Sequence, residues 1–445
     1  MSLFSTMNTA ASGLGVSSSS LAVIGDNVAN MNTTGFKSTR SEFADYLPQD
    51  VFGLAGPSQV GKGAGVNNLQ TMFGQGALNT SQNPLDMAIS GDGFFVVSDG
   101  VSDFYTRSGE FYLDDNGFVV TAQGGRLQGY NVDNNGTLGA TVGDLQLDLD
   151  PVQPAATTAI TLTATLDADT PVTGGVGLLT LNGGAAADTL EDAANAADFA
   201  TSVTTYDSLG VAHEVTMLWE YAGANSWNWY AVVDGGELDS AALAGASVPG
   251  NAYQIASGTA DFDGAGQLTA FTEVQTSTVD PWAFNGATAG DITFDFGLDA
   301  AGVATDGRVR MLAGTSSVSG VSQDGYPPGD LVGLSTEIDG TITGRYSNGQ
   351  EYTMGQVVLA RFPANAELER TGNTLFRATI GSGDPAIGVA GTGGRGRIAG
   401  NSLEQSNVDL EREFVNMITS QRSYQANARM IDTANSTLQE LVQLV

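Results

Sequence analysis

The sequence predicts an α+β, multidomain chain: long N- and C-terminal helices paired as in a coiled coil, with nested, inserted all-β domains between them. Three observations carry this. From Asn407 to the end, Leu410, Phe414, Met417, Gln421, Tyr424, Ala428, Ile431, Asn435, Leu438, Val442 and Val445 keep an unbroken 4-3 spacing, and nine of these eleven are apolar. At the other end Leu3, Met7, Ala10, Leu14, Ser17, Leu21, Ile24, Val28 and Met31 repeat that spacing. The residues between lack it and are punctuated by glycine turns and short β-prone runs, with 59 Gly in the whole chain.

The C-terminal run contains no Gly or Pro from Asn407 onward, so one helix of ~55 Å is expected at 1.5 Å per residue. Asn407 is the expected N-cap. Asp409, Glu411 and Glu413 place negative charge where the helix dipole favours it. A second strip (Val415, Ile418, Ala434, Leu441) flanks the seam, enough to serve more than one partner helix. The N-terminal helix is weaker. Gly13, Gly15 and Gly25 each cost ~1 kcal/mol in a helix interior, so it should form only when packed. It carries no Lys or Arg before Lys37 and would be poorly solvated alone. Both seams are therefore expected to pair within the chain and between copies. The candidate self-assembly residues are Leu3, Met7, Leu14, Leu21, Ile24, Val28, Leu410, Phe414, Met417, Tyr424, Ile431, Leu438 and Val442.

In chain order, residues 1–31 and 405–445 make the helical domain, and residues 32–70, rich in Gly, Ser and Asn, an extended linker with a short hairpin. Residues 71–150 and 326–404 make an inner β domain. Its strands include Gly93–Val97, Phe111–Leu113, Phe118–Val120 and Gly355–Phe362. Asp115-Asn116-Gly117 reads as a type I′ hairpin turn, and Asn135-Gly136, Asn182-Gly183, Asp263-Gly264, Asp339-Gly340 and Asn348-Gly349 repeat it. Residues 151–325 make an outer β domain or domain pair, with one short helix within Thr189–Ala200 and alternating aromatics Trp219, Tyr221, Trp227, Trp229 and Tyr230. Each inner stretch is inserted in the one outside it, so the two ends share a domain.

Charge narrows the function. The net charge is −33, with 16 Lys plus Arg, which opposes binding to nucleic acid or to an anionic membrane surface. The stretch Pro151–Gly325 holds 21 Asp plus Glu against 2 Arg, the character of a water-facing domain. No apolar run is long enough to span a bilayer, and no basic-then-apolar leader is visible, so no membrane insertion and no cleaved signal peptide are expected. The chain has no Cys and one His, His213, which removes His-based triads, Cys–His dyads and most zinc sites. Gly56–Gly63 falls short of a phosphate-binding loop because Gly63 stands where Ser or Thr belongs. Gly391–Gly396 fits GxGxxG without a βαβ unit around it, and Asp261–Gly266 resembles half a calcium loop without its later ligands. No catalytic residue, metal or cofactor is assigned.

Three blocks carry a resemblance. Asn8–Leu14 with Asn27–Lys37, then Asn83–Phe95, then Gly400–Phe414 continuing to Ala428, look like the shared signatures of the bacterial flagellar rod and hook axial proteins. Asn27, Asn30, Thr33, Gly35, Phe36 and Lys37 are the matching motif positions in the first block. Within that family the long middle insertion points to the flexible hook rather than to the distal rod. The resemblance implies a helical homopolymer of many copies, with terminal helices lining a hollow tube and β domains outside. It also implies export by the flagellar type III apparatus, and rod, hook-cap and hook–filament junction proteins as neighbours.

Overall fold

The structure, a computed structural model, describes residues 3–53, 56–133, 136–181, 188–239, 248–275, 284–288, 290–297 and 307–443. Residues 1–149, 332–345 and 351–445 form one compact unit, and residues 150–331 with 346–350 form a second. The second is thus an insertion in the first. No described helix is long and apolar enough to cross a membrane.

In the first unit, helix Leu3–Ala29 packs against helix Leu410–Gln443. The expected N-cap differs. Asp409 caps the second helix, its carboxylate accepting from the backbone N–H groups of Glu411 and Arg412 at 3.1 and 3.2 Å. Asn407 is engaged elsewhere, as described below. The β part is centred on strand Glu351–Arg361, buried from Met354 to Ala360. That strand pairs with Thr341–Tyr346, Arg126–Val132, Phe94–Ser98 and Ala386–Val389. Its continuously buried run reflects cover on both faces. Phe94, Val96, Tyr105, Val358, Ala360, Phe362 and Phe376 form its core.

Residues 32–70, expected as an extended linker, are largely strand. Thr39–Asp45 pairs antiparallel with Ala64–Thr71, and Gln49–Gly53 with Gly56–Val60. Ser, Asn and Gly hid the alternation. The paired segment returns onto the N-terminal helix, where Ser12 Oγ accepts from the Ala64 N–H at 3.3 Å. The phosphate-loop look-alike is therefore one arm of a hairpin. The GxGxxG stretch is a turn closed by the Gly391 N–H donating to the Gly396 carbonyl at 2.8 Å.

The second unit packs a six-stranded antiparallel sheet against a four-stranded mixed sheet. Strand Ala159–Asp167 alternates buried and half-buried residues along its length, as a strand with one covered face must. Ile160, Leu162 and Leu166 share one core with Val215, Met217, Trp219, Trp227, Trp229, Ala231 and Val233. Trp219 and Trp229 are cross-strand partners. The short helix is Leu190–Ala196, opened by a Thr189–Asp192 capping box. His213 is held between two carboxylates: Nδ1 lies 2.7 Å from Glu237 and Nε2 3.2 Å from Asp207, with Phe284 stacked on the ring at 3.7 Å.

The turns differ from the type I′ expectation. At Asp114–Gly117 the Gly117 N–H donates to the Asp114 carbonyl, the Asp114 carboxylate accepts from Asn116 and Phe118, and Gly117 alone has positive φ. Asp263–Gly266 repeats this arrangement with Gly266, not Gly264, in the left-handed region. The aspartate's side chain sets a type I turn and the glycine three residues on closes it. Adjacent positive-φ pairs of the I′ kind fall instead at Ala224-Asn225 and Asn373-Thr374, each one position after a glycine, Gly223 or Gly372, that also has positive φ. Asn182-Gly183 lies outside the described residues.

Burial pushes the Asp324 carboxyl up, but the Thr158 hydroxyl and the Ala159 and Thr158 amides donate to it and hold it below the ordinary carboxylate value. Burial likewise opposes, and donors from Val211, His213 and Leu209 outweigh, at Asp207, which is also lowered. Depressed carboxyls contribute stability that is present above their unfolded pKa and lost as pH falls through the folded one. This unit should therefore loosen below about pH 4. All four Trp lie within it, so tryptophan fluorescence follows it alone. Asp324→Asn and Asp207→Asn should each flatten the acid slope of that signal; an unchanged slope in both would remove these carboxyls as its cause.

Candidate self-assembly surface and its junction

The helix pair is antiparallel and in heptad register. Gly13, Ser20 and Asn27 meet Asn427, Ser420 and Glu413, one heptad apart on each helix and in opposite directions. A Cβ at Gly13 would come within 2.6 Å of Asn427 Nδ2. The Ser20 and Ser420 hydroxyls are 3.1 Å apart. The Asn27 amide donates to Glu413 at 3.3 Å. This small, polar column was not among the apolar positions read from the sequence. It lets the backbones approach closely, and Gly13 is there because the Asn427 side chain of the facing helix fills its side-chain space.

The apolar positions divide around it. On the N-terminal helix Ala10, Ser17 and Ile24 are buried, and Met7, Leu14, Leu21 and Val28 are half-buried. On the C-terminal helix Leu410, Met417, Ile431 and Leu438 are half-buried. Phe414 and Tyr424 stand 47% and 43% exposed, beside Val415, Ile418 and Met430 at 62%, 51% and 46%. One helix thus presents Phe414, Val415 and Ile418 as an apolar patch within about 100° of its circumference, with Tyr424 and Met430 exposed further along. The side chains of Leu3 and Val442 lie outside the described residues.

Both terminal motifs converge on one buried junction. Lys37 Nζ lies 2.6 Å from Glu404 Oε1, with both side chains fully buried, and also donates to the Gly74 carbonyl at 2.9 Å. Arg107 approaches Glu404 Oε2 at 3.3 Å and donates to the Gly91 carbonyl at 2.9 Å. The Gly76 N–H donates to the same carboxylate at 2.8 Å. Burial pulls the Lys37 ammonium below its ordinary value, and the Glu404 carboxylate works against that. Gly35 turns the chain at φ +69°, where a Cβ would collide with the Arg107–Ser108 backbone. Phe36 is buried under the Arg370 guanidinium, 5.0 Å from its ring centre.

The remaining motif residues splice the helix end to the strand that follows. The Asn27 amide and carbonyl exchange hydrogen bonds with Thr39 backbone, both at 2.9 Å. The Asn30 amide donates to the Asp26 carbonyl at 2.9 Å, and the Thr33 hydroxyl to Asn30 at 3.2 Å. Asn407 accepts from Ser38 N–H at 2.7 Å and donates to the Met72 and Gly74 carbonyls. Sequence reasoning missed Glu404, Arg107, Arg370 and this role of Asn407. The available signal was Lys37 itself, a lysine beside Phe36 in an apolar-poor motif, which needs a carboxylate if buried.

Family models match along the chain: a flagella basal body rod protein model at residues 7–37, a flagellar hook protein FlgE/F/G D1 domain at 88–165, a flagellar basal body protein FlaE D2 domain at 179–326, and a flagellar basal body rod FlgEFG protein C-terminal model at 399–444. Terminal motifs folded into one junction beneath a helix pair define, with these matches, a flagellar axial subunit. The chain is 34% identical over 443 residues to the flagellar hook protein FlgE of Salmonella typhimurium, covering 99% of this chain and 100% of that one. It is 35% identical over 440 residues to that of Escherichia coli K12, with 98% of each chain covered, and 32% over 466 residues to that of Borreliella burgdorferi, with 97% and 98% covered. The chain belongs to the flagellar hook protein family. A crystal structure of Helicobacter pylori FlgE2 shares the fold at TM-score 0.51 and 15% identity, covering 74% of this chain and all of that one.

Glu404 serves two buried cations, so removing it should cost more than removing either. Glu404→Ala should destabilise the first unit by ~3–5 kcal/mol, and Lys37→Met, which leaves Arg107 on the carboxylate, by less. Chemical denaturation followed by circular dichroism reads both; the reverse order would show that Glu404 is not the common partner.

Proposed function

We propose that the chain is the structural subunit of the bacterial flagellar hook, assembling with many copies of itself into a hollow, flexible tube that links the basal-body rod to the filament. The observation that carries this is the exposed apolar flank Phe414–Val415–Ile418, with Tyr424 and Met430 also exposed, on a helix already engaged with the N-terminal helix along another side. A surface of that kind on a soluble chain marks an association site. The full-length likeness to hook proteins supports the hook over the distal rod, and so does the inserted acidic unit, which matches the D2 model. The seam residues read from the sequence serve two roles in this reading. One set closes the chain's own helix pair, and Phe414 and Tyr424 face neighbouring copies.

The role is mechanical, not enzymatic. The one His is committed to Asp207 and Glu237 in the acidic unit. The chain works in the flagellum, reaching it through the flagellar export apparatus. Its neighbours at the two ends of the tube are the rod on one side and cap or junction proteins on the other.

Two measurements test this. Deleting the gene should leave basal bodies with a rod and no hook in electron micrographs; a missing rod would favour the rod reading, and intact flagella would end both. Phe414→Asp and Ile418→Asp, at positions exposed in the single chain, should leave the monomer's melting temperature unchanged within a few degrees and abolish tubes in cells. Normal tubes from both variants would remove the flank as a subunit contact.

A further inference from the structure

The chain's basic residues are unevenly placed and unevenly used. The acidic unit carries 23 Asp plus Glu and 2 of the 16 Lys plus Arg; the other 14 belong to the first unit. Lys37, Arg40, Arg107, Arg126, Arg370 and Arg377 make ion pairs within that first unit. Arg361, Arg395 and Arg397 make none among the described residues, although they stand close together around one turn.

That turn is Gly391–Gly396. Gly391, Gly393 and Gly394 all have positive φ, so the turn is shaped by residues that add no side chain. The guanidinium of Arg361 lies over Gly394, and that of Arg395 over Gly393; a Cβ at either would meet them at 3.1 and 3.2 Å. The stem of Arg397 passes Gly391 at 3.7 Å from the same construction. Arg395 is fixed by neutral acceptors only, donating to the Val389 carbonyl at 3.0 Å and the Thr392 hydroxyl at 2.8 Å. Arg361 and Arg397 are exposed. Asp92, Glu337 and Asp339 border the cluster, and none of them forms an ion pair with it.

We propose that the Arg361–Arg395–Arg397 cluster is a docking surface for the carboxylate-rich unit of a second copy of this chain. The inference rests on the self-assembly reading. Copies of net charge −33 packed in one polymer repel one another unless basic groups of one are set against acidic groups of the next. The first unit holds unspent arginines on a bare, open turn, and the second holds a large excess of exposed carboxylates, Glu191, Asp192, Glu214 and Asp263 among them. A polyanion such as nucleic acid or an anionic bilayer is disfavoured by the same net charge. Pairing of this kind sets register and partner choice more than raw affinity, which suits contacts that must give way as a tube bends.

The test uses full-length protein carrying Arg361→Lys and Arg397→Lys, which keep the charge and add an amine. Light and heavy isotope-labelled copies are mixed, assembled, and treated with a carbodiimide, which joins amine to carboxylate without a spacer. Mass spectrometry should find amide links from position 361 or 397 to Asp or Glu within 150–331, joining light to heavy peptides. Links confined to one copy, links to carboxylates elsewhere, or no links in a sample whose tubes are visible by electron microscopy would overturn the proposal. Failure of the unmodified chain to form tubes would instead overturn the self-assembly reading, and this inference with it. As a second variant, Arg361→Glu with Arg397→Glu should lower sedimentable polymer at low salt about tenfold with an unchanged monomer melting curve. An unchanged polymer yield would also count against it.

Discussion

One carboxylate organises the first unit. Glu404 is fully buried and is met by an ammonium, a guanidinium and a backbone N–H, which come from three separate stretches of chain. A buried carboxylate alone is untenable, and so is a buried Lys37 or Arg107. The three solve one another's desolvation only if the N-terminal motif, the β-rich stretch around Arg107 and the C-terminal motif arrive at one place. The arrangement therefore acts less as a source of stability than as a condition on the fold. It fixes where helix Leu3–Ala29 ends and where helix Leu410–Gln443 is launched, and with that the register between them.

Register then decides which residues remain available. With Gly13, Ser20 and Asn27 set against Asn427, Ser420 and Glu413, the closest contact between the helices is made by small and polar groups. A purely apolar seam would bury the large side chains between the two helices and leave a polar exterior. Here Phe414, Val415, Ile418 and Tyr424 are kept outward by the same geometry that lets the backbones approach. The cost of that exposure in a lone chain is the driving force for covering it in an assembly.

Much of this was legible in the sequence, and the reasons for the rest are physical. The two helices were visible because a 4-3 spacing over this length has no competing explanation. The all-β middle was visible from glycine punctuation. Which column of the seam faces inward was not: Phe414 and Ser420 are equally compatible with helix, and hydrophobicity favours the wrong one when a glycine on the partner allows close approach. The I′ turns at Ala224-Asn225 and Asn373-Thr374 were hidden because residues other than glycine accept positive φ when flanking strands impose it. The strands within 39–71 were hidden because Thr39–Asp45 and Ala64–Thr71 are mostly exposed and the segment is rich in Ser, Asn and Gly, so no apolar alternation marks them. The junction was half legible. Lys37 stood out in its motif, but its partners Glu404 and Arg107 lie 367 residues away and in a separate stretch, and charge alone does not pair residues across such distances.

The same division of labour extends to charge. Where a charge is buried it meets an opposite charge, as at Lys37, Arg107 and Glu404, and many carboxylates of the acidic unit are exposed and accept from backbone N–H groups, as Asp263 and Asp324 do. Carboxylates tied to backbone N–H groups stabilise turns without needing a cation, which is how a unit with 23 acidic residues and 2 arginines can fold. It also leaves that unit's field uncompensated. Self-repulsion of this size keeps single chains apart at low concentration and makes association depend on specific contacts. Both properties come from one allocation: apolar surface on the terminal helix, uncompensated negative charge on the inserted unit.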